Sequence, residues 1–284
     1  MTRRPVHALW TASVLGGLAQ SLAGTAGALL ARQLGNSDAV AGLPQALLVV
    51  GAAVSALGLS GLTRRRGRGV ALSTGAIVAM IGCLVVLCAG LASSLPGVLL
   101  GSGLLGAGST AVMLGRYAAA DLGPETDRAK AMASVLVAIT IGAVAGPNLL
   151  APAGALASGL GIPALVGPYL VAAAAFAAAA SVLAAGLGVE RTHSVSPAAS
   201  AQPAVRATVA PTLGRSETAG LMVLSVANLV MVSVMTMAPV HLNHIGVGLG
   251  AIGLVVSAHI AGMFAPSPLS GWLTDRFGAG PVVT

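Results

Sequence analysis

Few side chains in this sequence can do chemistry, and most of those lie inside long apolar runs. His259 is one, with Met263 and Pro266 following at i+4 and i+7, so the three share a helical face. An imidazole in that setting carries a proton or touches a ligand; its competing role is a neutral hydrogen bond to a neighbouring helix. Ser225, Asn228, Val232, Met235 and Pro239 fall at roughly helical spacing and form a second polar face. Gln20 is similarly deep in its run, and Asn148 lies further out in another. Each of these amides can donate to a substrate or bond between helices. Met231, Met235 and Met237 supply flexible thioethers that adapt to varied apolar ligands. With His259 they would also make a thin copper path, but no metal site is expected. Gln20, Asn148, Asn228, Met235 and His259 are therefore the candidate substrate-pathway residues.

The elements that must position these residues are set by composition. The chain has 284 residues, of which 7% are charged and 56% hydrophobic. A soluble domain carries roughly 25% charged residues. Mean hydropathy is +0.94. A soluble fold needs more polar surface than this to cover its core. An ordinary soluble enzyme, a disordered tail and a nucleic-acid-binding domain are excluded. The 14 Lys and Arg give a net charge of +7, but spread over apolar sequence they make no polyanion-binding face. Cys83 and Cys88 form neither a disulfide framework nor a metal-spaced set, and read as buried structural thiols.

Only helices and closed barrels satisfy their backbone in lipid, and long unbroken apolar runs select helices. About twenty residues cross the hydrocarbon core. Eight runs qualify, at about 8–31, 39–62, 70–92, 97–120, 130–152, 163–188, 218–240 and 249–272. The first could be taken for a signal peptide, but the seven spans that follow favour an uncleaved helix. Thirteen basic residues, among them Arg3, Arg4, Arg64, Arg65, Arg66, Arg68, Arg116, Arg128 and Lys130, fall on one side of these runs, and Arg32 falls on the other. This places both ends of the chain in the cytoplasm of a multi-pass inner-membrane protein. Trp10, Tyr117, Trp272 and Phe277 agree, lying near the same interface. Arg32 and Asp38 flank the outer loop and are expected to be solvated rather than paired.

Residues 189–216, with three prolines and many Ser, Thr and Ala, read as a cytoplasmic linker. It separates six spans (1–188) from two (217–284). An internal repeat supports the division. Leu62-Thr63-Arg64-Arg65-Arg66-Gly67 and Leu273-Thr274-Asp275-Arg276-Phe277-Gly278 share Leu-Thr-x-Arg-x-Gly, each at the end of the second span of its unit.

At these residues the sequence resembles the major facilitator superfamily, whose members have twelve helices in two halves. The family's loop motif, Gly-x-Leu-x-Asp-Arg-x-Gly-Arg, is matched at Gly271, Leu273, Asp275, Arg276 and Gly278, with Ala279 in place of the last Arg. The first copy keeps Leu62, Arg65, Gly67 and Arg68 but has Ser60 and Arg64 where the motif has Gly and Asp. In the family this loop steadies one conformational state. Gly142, Gly146 and Pro147 match Gly-x-x-x-Gly-Pro, which resembles the antiporter signature; physically, the glycines allow close helix approach and the proline bends the helix. Gly106-Ala107-Gly108 is present in span four, but Ser102 stands where many proton-coupled members have Arg.

The resemblance implies an all-α membrane protein: a facilitator-type bundle with a complete six-helix N-terminal half and the first two helices of a C-terminal half, truncated after about eight helices. It implies transport of a small organic or drug-like molecule by alternating access, as an efflux antiporter. The partners are the small-molecule substrate, a proton or other coupling ion, and the lipid bilayer. No nucleic acid, cofactor or catalysis is expected. A rival reading starts from Gly58-Leu59-Ser60-Gly61, which resembles the Gly-x-Ser-Gly of rhomboid proteases, with His259 as base. Ser60 lies at the end of its span and His259 near mid-depth, so the two do not come within hydrogen-bond reach. A non-transporting scaffold or sensor is the third class.

Overall fold

The computed structural model describes residues 3–121, 128–187 and 214–264. Its α-helices, in chain order, are α1 Arg3–Gly35, α2 Leu43–Arg66, α3 Arg68–Leu91, α4 Leu95–Asp121, α5 Arg128–Asn148, α6 Leu150–Gly159, α7 Gly167–Leu187, α8 Arg215–His244 and α9 Leu249–Phe264. Short 3-10 turns at Asp38–Val40 and Ala164–Val166 precede α2 and α7. No strand occurs among the described residues. Seven of the described helices are long and apolar enough to cross a membrane. The eighth expected run is described as far as Phe264, over 16 residues.

The helices pack through small residues, because lipid offers no hydrophobic force to join larger ones. Gly142 and Gly146 of α5 lie against the backbone of α1. A Cβ at Gly142 would stand 2.0 Å from the Val14 carbonyl oxygen, and one at Gly146 2.5 Å from that of Leu18. α2 and α4 meet in the same way at Gly51 and Gly106. α1 is the central element, packed on α5, α7 and α4. Of its apolar span 67% is buried, against 11% for α2 and 0% for α8. The core runs from Leu22, Ala26 and Leu30 of α1 through Cys83 and Val86 of α3 to Tyr169 and Phe176 of α7.

Tight links set the order. Gly67 alone joins α2 to α3, at φ 90°, a conformation that favours glycine. Pro44 opens α2, where its missing N–H has no cost.

Three expectations need correction. The run expected at 130–152 breaks after Asn148, and α6 is a separate helix before span six. Pro147 has no N–H to continue the ladder, and the Leu149 N–H turns back to the Gly146 carbonyl at 2.9 Å. Cys88 is exposed, not buried; it lies on the outer face of α3, while Cys83 faces the core. Arg32 and Asp38 are paired, with Nε 2.7 Å from Oδ1. The 3-10 turn, capped by the Ser37 hydroxyl accepting from the Ala39 N–H, carries Asp38 back under the end of α1.

Candidate functional site

Gln20 sits mid-way along α1, and its Oε1 is buried with no hydrogen-bond partner among the described residues. Gly24 and Gly27 follow at i+4 and i+7, so the three share a helical face. That face borders a crevice lined by Gly24 and Gly27 of α1, Gln45 of α2, Ser102 of α4 and Thr236 of α8. The crevice is about 10 Å³, near the volume one water needs and far too small for an organic substrate. In this conformation the polar face is therefore closed.

Ser102 is buried and donates its hydroxyl to the Val98 carbonyl at 2.8 Å, within its own helix. It presents no ionisable group at this position of α4. Thr110 ties α4 to α2 through the Ala52 carbonyl at 2.9 Å.

The closure involves α8 and α9. Gly253 of α9 lies against Pro147: an added Cβ would be 2.1 Å from the proline carbonyl oxygen. One helical turn further on, Ser257 is buried. It donates to the Val144 carbonyl at 2.7 Å and accepts from Asn148 Nδ2 at 2.8 Å. The Asn148 amide also reaches the Val144 carbonyl at 2.9 Å. Asn148, though exposed, is thus engaged between α5 and α9. Pro147, the break in α5, is also the surface on which α9 rests. Gly142 and Gly146 face the other way, into α1.

The remaining candidates are dispersed. Asn228 lies in the exposed stretch 221–230 of α8, and Met235 is half-buried. His259 is exposed, at the edge of the α9 stripe that buries Ile252, Val256 and Ile260. Leu62 is half-buried and Arg65 exposed at the end of α2. Arg68 begins α3. Gly271, Leu273, Asp275, Arg276 and Gly278, together with Pro266, Trp272, Phe277 and the linker residues 189–213, lie outside the described residues. Ser60 donates to the Leu57 carbonyl at 3.0 Å within its own helix, at the end of α2 away from the crevice. No group of three or more His, Cys, Asp or Glu able to hold a metal ion occurs among the described residues.

Sequence reasoning missed Gln45, Thr236 and Ser257. A lone Thr or Ser in an apolar run carries no signal, since its hydroxyl is usually satisfied by the carbonyl four residues back. It also missed Asn243 and His244, which meet Arg32 across the α1–α8 contact. The polar cluster His241, Asn243 and His244 ending an apolar helix was the available clue.

The family profile of the Major Facilitator Superfamily matches residues 9–284. The chain is similar to two proteins of Bacillus subtilis (strain 168), both described as uncharacterised MFS-type transporters. It is 36% identical to YdeG over 285 residues, covering 97% of this chain and 66% of that protein. It is 35% identical to YddS over 290 residues, covering 97% and 65%. The chain thus spans a little under two thirds of the length of these curated relatives.

Proposed function

The chain belongs to the major facilitator superfamily, and from that premise we propose that it carries a small organic or drug-like molecule across the membrane by alternating access, as a secondary exporter. The observation that carries this reading is Gln20: a buried amide oxygen without a partner, on the α1 face that borders the contact with α8. An unsatisfied buried acceptor costs about 1–3 kcal/mol. A ligand donor in an opened crevice would satisfy it. The neutral lining favours an apolar or amphipathic substrate with a single hydrogen-bonding group over a strongly ionic one.

Residues 1–188 and 217–284 act as two units joined by the linker 189–216. The basic ends of α2 and α3 face the cytoplasm, and the Arg32 end faces outward. The crevice is then shut at the outer end by α8 on α1 and by α9 on α5. The Gly142, Gly146 and Pro147 segment supports the exporter reading by its position. It ties α5 to α1 through the glycines and offers its broken end to α9, so rocking α9 acts on it directly. Ser102 in place of Arg supports coupling by a route other than a proton on span four.

The test is accumulation of a panel of amphipathic fluorescent dyes in an exporter-deficient bacterial strain that expresses the protein. Lower steady-state accumulation of at least one dye is expected, reversed by Gln20→Leu at equal membrane abundance. Unchanged accumulation of every dye overturns transport of this substrate class. Raised accumulation overturns export.

A further inference from the structure

At the outer end of α1 the Arg32 guanidinium holds three partners. Nε donates to Asp38 Oδ1 at 2.7 Å, Nη1 to Asn243 Oδ1 at 3.3 Å, and Nη2 meets His244 Nδ1 at 2.8 Å. The first partner is local. The other two stand at the C-terminus of α8, 211 and 212 residues away in sequence. We propose that Arg32, Asp38, Asn243 and His244 form an acid-released latch between α1 and α8, which holds the outer end shut while His244 is neutral and lets it part when the ring is protonated. This rests on the alternating-access reading.

The chemistry is asymmetric. Arginine has donors only and stays charged. His244 Nδ1 must therefore accept, which requires a neutral ring with its proton on Nε2. Protonation turns Nδ1 into a donor aimed at another donor and sets two positive charges side by side. Among the described residues Asp38 is the one acidic group beside the cluster; its Oδ1 is held by the guanidinium and its turn keeps it on the α1 side, so it offsets charge there rather than bridging to α8. Asn243 keeps its bond, so the latch weakens without vanishing. Other groups near the ring are few among the described residues. On α8 itself His241 lies one turn back and is exposed. From α1 and its turn come Arg32 and Asp38. α9, which also packs on α8, has His259 as its titratable residue, far along the helix, and α6 has none. Water reaches the cluster: the Arg32 side chain is 24% exposed and that of Asp38 62%. Protons outside the cell therefore have access.

The position gives the latch its effect. Residues 221–230 of α8 are exposed throughout, and the helix touches α1 towards its C-terminal end, where Val240 is buried. A bond at that end acts where separation must begin. Solvent exposure limits its strength, and an exposed charged pair shifts a two-state ratio by about fivefold.

The experiment is double electron–electron resonance on the purified protein in lipid nanodiscs. Spin labels are placed at Ala46→Cys on α2 and Ile245→Cys after α8, with Cys83→Ala and Cys88→Ala. Lowering the pH from 8 to 5.5 should raise the ratio of long to short distances about fivefold. His244→Gln, a neutral acceptor, should keep the short distance at both pH values. His244→Lys and Arg32→Gln should show the raised ratio of long to short distances at both. A pH response that survives His244→Gln, or a short distance retained in both His244→Lys and Arg32→Gln, overturns the latch. The dye assay separates the two readings. Export with a pH-indifferent distance overturns the latch alone; a pH-driven opening without dye movement overturns the transport reading alone.

Discussion

At the scale of the residue, one side chain carries the proposal and a second, of opposite burial, tests its extent. Gln20 keeps an unsatisfied oxygen inside the bundle. Gln20→Leu removes that acceptor and should leave the melting temperature in detergent unchanged or raised, while dye export falls at least tenfold. A drop in melting temperature with export intact would make Gln20 a packing residue. His259 is exposed at the edge of the packed face of α9. His259→Ala should lower export with expression unchanged. Export by the variant equal to wild type between pH 5.5 and 8 would remove His259 from the transport path. The depth of both residues was legible from the apolar runs that contain them. Their surroundings were not, because a helical repeat fixes a face without saying which neighbour covers it. Asn148 illustrates the point: its place in span five was readable, but its bond to Ser257 depends on a helix more than a hundred residues away. Arg32 failed for a local reason. Solvation is the usual fate of surface charges, and only the 3-10 turn after Asn36 brings Asp38 within 2.7 Å of the guanidinium.

At the scale of the element, glycine position decides how closely helices approach. Glycine within a helix is usually less stable than alanine by about 0.5–1 kcal/mol. Gly142 reverses that sign, since a methyl group there would meet the Val14 carbonyl. Gly142→Ala should force α5 from α1 and destabilise by about 1–3 kcal/mol, the usual cost of overpacking. Gly58→Ala, where nothing lies within 4 Å, should be neutral or slightly stabilising. Thermal unfolding of both variants in the same detergent measures the contrast; equal midpoints would mean the α1–α5 seam yields without cost. Helix existence was legible here because each run exceeds the length a bilayer demands. The separate α6 was not, since Leu150–Gly159 is as apolar as the spans around it. Only the missing N–H of Pro147 and the turn at Leu149 mark the break, and membrane helices often absorb a proline without ending. The repeat between loops was half legible in structure: Gly67 closes the first copy, and the second lies beyond Phe264.

At the scale of the whole molecule, charge asymmetry and packing point to the same two ends. The Arg64, Arg65, Arg66 and Arg68 end carries the short α2–α3 link and exposes Arg64, Arg65 and Arg66. The opposite end carries α6, the turn at Asp38–Val40 and the α8–α9 connection, with Arg32 as its basic residue among those described. Basic residues resist transfer across the membrane during insertion, so the proposed orientation has the arginine-rich end in the cytoplasm. Single-cysteine labelling with an impermeant thiol reagent in intact cells checks this. With Cys83 and Cys88 replaced by Ala, Leu160→Cys should label quickly, because Leu160 is 61% exposed at the end of α6, on the Arg32 side. Ser200→Cys, in the linker, should stay unlabelled until the membrane is permeabilised. Labelling of Ser200→Cys in intact cells, with Leu160→Cys protected, would invert the molecule. It would move the Arg32–His244 contact into the cytoplasm, where the pH varies little, and deprive an acid-released latch of its signal. Sidedness is therefore the property on which both the direction of export and the sensing of external acid depend, and one pair of labelling rates decides it.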